Sequence, residues 1–191
     1  MKKLKVGFAL CGSFCTLDKA IEQMKRLVEL NYDVLPIMSE AVYNTDTRFG
    51  KASDFKNKVE TVCSKKIIHT ITMAEPIGPQ NMTDIMIIAP CTGNTLSKLE
   101  GAITDTSVTM AAKAHLRGQK PLVVALATND ALGASAKNLG NMLNIKNIYF
   151  VPMAQDDPDK KPNSLVANFE LIPDAIEAAF NARQLRPIIL E

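Results

Sequence analysis

The sequence predicts an α/β fold with a doubly wound, mainly parallel sheet and helices on both faces. Short apolar runs alternate with amphipathic helical patterns from one end to the other, which is how parallel strands joined by helical crossovers read. The 191 residues are 47% hydrophobic and 22% charged, enough to build one core. No linker or internal repeat divides the chain, so residues 1–191 read as a single domain with a helical C-terminal segment around 164–182.

Each element has its own justification. Lys5–Leu10 (KVGFAL) is continuously apolar and reads as a strand covered on both faces. Thr16 is placed to cap a helix in which Leu17, Ile21, Met24, Leu27 and Val28 recur at three and four residues. Asn31 ends that helix, and Tyr32–Met38 is the second strand. Pro36 argues for an edge position or an early strand end there. A polar loop, AVYNTDTRFGK, leads to a helix over Ser53–Cys63. Ile67–Ile71 reads as a short strand and TMAEPIGPQN as a loop held in shape by two prolines and a glycine.

Asp84–Ala89 is another buried strand, followed by helices over Thr92–Ile103 and Asp105–Leu116, the latter ended by Gly118. Pro121–Ala127 is a strand, Ala134–Asn144 a helix and Ile148–Val151 the last clear strand. After the charged loop MAQDDPDKKPNS, Leu165–Ala182 is helical in pattern. Pro173 marks either a kink or the first turn of a second helix.

Composition excludes several functions. The formal charge is +2, from 22 Lys+Arg against 20 Asp+Glu, so a nucleic-acid partner is not expected. No apolar run is long enough to span a bilayer. The start, MKKLKVGFALCGSF, imitates a secretion signal, but an Ala-x-Ala cleavage site is missing and a helical pattern follows at once. Cys11, Cys15, Cys63 and Cys91 read as reduced thiols of a cytoplasmic protein, with no disulfide. A Cys-x3-Cys spacing with only two histidines elsewhere supplies no metal site.

An open α/β sheet binds its ligand beyond the carboxyl ends of the strands, so the loops CGSFCT, MSEAV, TMAEPIGP, PCTGNT, ATNDALG and PMAQDD carry the chemistry. In CGSFCT, Gly12 permits a tight turn, while Ser13 and Thr16 set hydroxyls beside helix-start amides. This suits a phosphate, although a plain capped turn reads the same. It matches neither a G-x-G-x-x-G nor a P-loop pattern. Cys15 is a nucleophile candidate without an evident histidine partner.

PCTGNT says more. Pro90 closes an apolar strand, and Thr92, Gly93, Asn94 and Thr95 open a helix with more polar groups than capping needs. Thr128, Asn129 and Asp130 end another strand, Asp130 equally as a helix cap. Met73 and Ile77 are suited to cover a planar ring. Glu75 is an acid–base or ammonium-contact candidate, or a solvated glutamate. His69 is either a core histidine or a general acid–base. His115, beside Arg117 in a last helical turn, is explained by the helix dipole and stays outside the site. The candidate set is therefore Gly12, Ser13, Thr16, Pro90, Thr92, Gly93, Asn94, Thr95 and Thr128 for cofactor binding, with Glu75 and His69 as catalytic candidates.

Residues 84–116, DIMIIAPCTGNTLSKLEGAITDTSVTMAAKAHL, resemble the flavoprotein family that includes phosphopantothenoylcysteine decarboxylase. The shared order is Ala89-Pro90, a small residue, a variable pair, Asn94-Thr95, a Leu-x-Lys helix and a Gly-x-x-Asp turn ending at Asp105. Gly12-Ser13 and residues 121–143 add to the likeness. It implies a Rossmann-like flavoprotein fold, FMN across the strand ends with its phosphate near Ser13 and Asn94-Thr95, and homo-oligomers in closed rings.

Within that family, GFALCGSFCT, HTITMAEPIGP and the segment from QDDPDKKP to the C-terminus resemble one component of an enzyme of sporulating bacteria. The resemblance implies an oxidoreductase complex that forms pyridine-2,6-dicarboxylate from a cyclic intermediate of lysine biosynthesis. It also implies a dehydrogenase-like partner chain carrying NAD or NADP, and a small anionic heterocyclic substrate whose carboxylate Lys98 would meet if it points into the crevice. EPIGP intervenes between His69 and Asp84, and no cysteine-gripping segment is evident near 141–155, so cysteine decarboxylation is disfavoured. Two other readings stand beside this one: a stand-alone FMN-dependent decarboxylase or oxidoreductase, and a non-catalytic partner that stabilises the dehydrogenase-like chain.

Overall fold

Five apolar runs form parallel strands in the computed structural model, which describes residues 3–191. Met1 and Lys2, the outermost part of the basic tip, lie outside the described residues. The strands are β1 (Lys5–Leu10), β2 (Asp33–Met38), β3 (Ile85–Cys91), β4 (Leu122–Thr128) and β5 (Ile148–Phe150), arranged β2-β1-β3-β4-β5. Every residue of β3 is buried, which accounts for its unbroken apolar sequence. Its side chains alternate between two cores. Ile85 and Ile87 join Val6, Phe8 and Leu10 in one; Met86 and Ile88 join Ile37, Leu122 and Val124 in the other.

Helices cover both faces, as expected. α1 (Leu17–Glu29), α2 (Glu40–Asn44), α3 (Ala52–Cys63) and α8 (Ile172–Phe180) supply the first core. α4 (Ile71–Ala74), α5 (Gly93–Glu100), α6 (Ser107–Leu116) and α7 (Ala136–Met142) supply the second. Among the described residues, no helix is long and apolar enough to cross a membrane. A short antiparallel pair, β6 (Met153–Ala154) and β7 (Leu165–Ala167), extends the sheet beside the end of β4.

Several local expectations are corrected. Thr16 precedes α1 but does not cap it: its hydroxyl donates to the Ser13 carbonyl (2.9 Å) and to Ser13 Oγ (3.1 Å), while a 3-10 turn over Phe14–Thr16 feeds the helix. Ile67–Ile71 keeps only one bridge, Ile37 to Ile68, because the Thr70 hydroxyl accepts the Met73 amide and starts α4. The segment TMAEPIGP is thus helical, α4 running into a 3-10 turn over Glu75–Ile77.

The long C-terminal helix begins only at Ile172, with Pro173 in its first turn. Leu165 and Ala167 face inward as part of β7 instead. Pro36 does sit in the edge strand, where the amide of Ile68 donates to its carbonyl at 3.0 Å.

Two residues show how tightly α6 is held. A Cβ on Gly78 would lie 2.2 Å from the Ala114 carbonyl oxygen, so only glycine allows this approach. His115 is buried at 2% exposure. Thr83 Oγ1 lies 2.8 Å from its Nδ1, and its Nε2 lies 2.8 Å from the Pro121 carbonyl. The carbonyl can only accept, so Nε2 carries the proton and the Thr83 hydroxyl donates to Nδ1. Burial lowers the His115 pKa from 6.5 to about 4, so the ring is neutral and the dipole account is replaced by a hydrogen-bonded core histidine.

Gly78→Ala should therefore destabilise the fold by about 1–3 kcal/mol, read from urea midpoints. Below pH 6.5 the unfolded chain binds a proton that folded His115 refuses, so stability is full above that pH and falls as the pH drops toward 4. The loss attributable to this residue is about 2 kcal/mol between pH 7.5 and 5. It should vanish from the pH profile of His115→Gln, and an unchanged slope in that variant would contradict the assignment.

Candidate functional site

The helices following β1 and β3 leave toward opposite faces of the sheet, α1 to one and α5 to the other. Neighbouring strands whose connections diverge in this way leave a crevice at their carboxyl ends. A cleft of about 450 Å³ lies there, lined by Cys11, Gly12 and Phe14 after β1, Ser39 and Glu40 after β2, and Thr92, Asn94, Thr95 and Lys98 after β3.

Hydrogen bonding decides which groups are free. Thr92 caps α5, accepting the Thr95 amide at 3.2 Å, and donates its own proton to Thr95 Oγ1 at 3.1 Å. Thr95 in turn donates to Cys11 Sγ at 3.3 Å. Both hydroxyl protons are therefore committed inside the protein, and toward a ligand these groups offer lone pairs. Asn94 is exposed. Its amide is the uncommitted side-chain donor at the start of α5.

Glu40 and Lys98 supply charge. The Glu40 carboxylate accepts the Ser107 amide at 3.0 and 3.3 Å, which fixes it at the N-terminus of α6, while the Ser107 hydroxyl donates to the Met38 carbonyl at 2.6 Å. Lys98 donates to both Asp105 oxygens at 2.8 and 2.9 Å, and its hydrogen bond holds the Asp105 carboxyl below its usual range. Lys98 is only 21% exposed and borders the cleft. The sequence marks the MSEAV loop but singles out no residue in it. The only signal for Glu40 is its place directly after β2.

A second cleft, of about 320 Å³, opens on the other side of the β1–α1 turn. Ser13, Thr16 and Thr128 line it together with Cys15, Lys19 and Lys161. Asp156 holds Lys161 at 2.6 Å and accepts the Ser164 hydroxyl. The candidate cofactor residues thus divide: Gly12, Thr92, Asn94 and Thr95 face one cleft, and Ser13, Thr16 and Thr128 the other.

Pro90 and Gly93 are buried. A Cβ on Gly93 would lie 2.8 Å from Thr128 Oγ1, 2.9 Å from Asp130 Oδ1 and 3.0 Å from Ser135 Oγ, so this glycine lets α5 begin against the loop after β4. Asp130 accepts the Thr128 and Ser135 hydroxyls and ties that loop together.

The catalytic candidates lie apart from these linings. His69 stacks on Tyr43 with ring centroids 3.7 Å apart, and Lys56 Nζ lies 4.4 Å from the Tyr43 ring centroid on the ring face. Glu75 is exposed in the 3-10 turn beside α6. Met73 is 39% exposed and Ile77 is buried; neither borders either cleft.

The thiols differ sharply. Burial pushes the Cys11 thiol up to about 11 and Cys91 well above its usual value. Cys63 is pushed up to about 12, with its sulfur 3.3 Å from Met24 Sδ. Cys15 is exposed. A thiol-specific reagent at pH 8 should therefore label Cys15 first, and Cys15→Ser should remove the fast phase. Fast labelling of Cys11 in the folded chain would contradict this arrangement.

The donor set fits FMN. Asn94 and the first amides of α5 suit a phosphate or ring carbonyl, and the half-buried Phe14 ring and Ala41 offer apolar surface beside it. Among the described residues there is no group of three or more His, Cys, Asp or Glu placed to hold a metal ion.

The comparisons with known proteins agree in direction. A family model described as Flavoprotein matches residues 1–181. The chain is 44% identical over all 191 residues to the B subunit of dipicolinate synthase from Bacillus subtilis (strain 168), covering 96% of that protein. It superposes on the crystal structure of the dipicolinate synthase B subunit from Bacillus halodurans C with a TM-score of 0.91 and 46% identity, covering 100% of this chain and 99% of that one. The FMN-dependent cysteine decarboxylase SpaF shares the fold, with a TM-score of 0.68 at 18% identity over 94% of this chain and 96% of that one. With a Rossmann-like, mostly parallel sheet and full-length relatives of this kind, the chain belongs to the Flavoprotein family.

Proposed function

We propose that this chain works as the B-type subunit of a dipicolinate synthase, joined to a dehydrogenase-like A-type partner that carries NAD or NADP. The full-length likeness to two B subunits supports the reading, and so does a cleft rimmed by Asn94, Thr92 and Thr95 at the point where the strand connections diverge. The chemistry is constrained by the product. A hydroxylated tetrahydropyridine dicarboxylate loses water, and the resulting dihydro ring gives up a hydride and a proton to become aromatic. The nicotinamide of the partner, or FMN when bound, would supply the one two-electron acceptor this step needs.

The chain's own residues then bind and orient. Asn94 donates to the anionic or carbonyl edge of the bound group. Thr92 and Thr95, whose protons are committed inward, present lone pairs to its donors. Lys98, held at the cleft wall by its pairing with Asp105, keeps one further N–H donor for a substrate carboxylate. Glu40 fixes the opposite wall by accepting the Ser107 amide at the start of α6. Neither Glu75 nor His69 borders the cleft, so no proton transfer is assigned to them. Exposed Leu132, Leu143 and Ile145 leave apolar surface for assembly with further copies.

Co-expression with the A-type partner of a dipicolinate synthase tests the reading. The two chains should co-purify, and dipicolinate should form from the cyclic precursor only when both are present. Asn94→Ala should weaken FMN binding about tenfold, near 1.4 kcal/mol, with an unchanged far-UV spectrum. Equal dipicolinate formation by the A-type partner alone would refute the proposal, and turnover by this chain alone would make it a stand-alone enzyme.

A further inference from the structure

A separate cavity, of about 390 Å³, lies on the flank of the second helical layer, between α6 and the α5–α6 turn. One wall is a stripe of α6. Thr109, Lys113, Leu116 and Arg117 stand at i, i+4, i+7 and i+8, the spacing of a single helix face. The other wall is Leu99 and the turn that carries Ile103, which is 49% exposed. The floor is apolar, and three cations, Lys98, Lys113 and Arg117, border it.

These cations are not equivalent. Lys98 is already paired with Asp105. Lys113 and Arg117, one helical turn apart and both exposed, have no ion-pair partner among the described residues. A pocket that combines an apolar floor with two uncompensated positive charges is complementary to an amphipathic anion. Its volume is at the low end of small-molecule sites, which suits one or two fused rings and not a long chain. An arginine or lysine beside an aromatic ring also gains from the ring face.

We infer that this cavity is a second ligand site, for a small aromatic carboxylate whose ring rests on Leu99, Ile103 and Leu116 and whose carboxylate meets Lys113 and Arg117. Lys98 borders both this cavity and the cleft after β3, so the two occupants would share one side chain. The site stands independently of the synthase reading, since it uses no residue proposed there except as a shared boundary.

The test is a titration of the full-length protein with 2-naphthoate, followed by methyl NMR. Saturable shifts confined to the methyls of Leu99, Ile103, Leu116 and their neighbours are expected. Affinity should fall tenfold or more in the double variant K113Q/R117Q, whose exposed positions leave folding intact, and by a similar factor for uncharged 2-naphthylmethanol. Absence of saturable shifts, shifts centred elsewhere, or equal binding of the neutral analogue would overturn it.

Discussion

β3 is buried along its entire length, so it must be covered on both faces, and alternate side chains must enter separate cores. Its neighbours inherit the same requirement, and helices therefore depart to opposite sides of the sheet. No polar side chain can be placed along such strands without losing its hydration. Polar chemistry is displaced to the strand ends, where connections diverge and backbone amides are unpaired. The position of the cleft follows from this burial, whatever molecule fills it.

Within the cleft the same physics sets roles residue by residue. Cys11 is fully enclosed, so its thiol stays protonated and serves as an acceptor for Thr95. Thr95 is thereby oriented, and Thr92 behind it. The result is a pre-arranged rim in which Asn94 keeps its side-chain donors unspent. The β1–α1 turn sends Gly12 and Phe14 to one side and Ser13 and Cys15 to the other, so one short turn serves two clefts of different character.

Much of the fold was legible because local signals and tertiary demands agree there. Lys5–Leu10, the α1 periodicity and the buried stretch after Asp84 need no partner to be recognised. Legibility fails where a side chain chooses between two local uses. Thr70 offers a strand residue or a cap, and the cap wins: its hydroxyl accepts the Met73 amide, and pairing with β2 ends at Ile68. Leu165–Ala167 fits a helical stripe or a short strand, and the exposed edge of β4 decides for the strand. In the site, Asn94 and the threonines were visible as polar residues opening a helix. Glu40 and the Lys98–Asp105 pair depend on which helix ends face one another, which spacing in one dimension does not encode.

The forked pairing of β4 has an implication of its own. Leu122–Val124 bond to β5, while Ala127 and Thr128 bond to the antiparallel segment that returns at Leu165. The β7 segment, with β6 beyond it, therefore covers the end of β4 beside the second cleft. Without it, the tip of β4 would present bare amides and carbonyls to other molecules and invite intermolecular strand pairing. Leu165–Ala167 thus close an edge that would otherwise be open, whatever they contribute to chemistry.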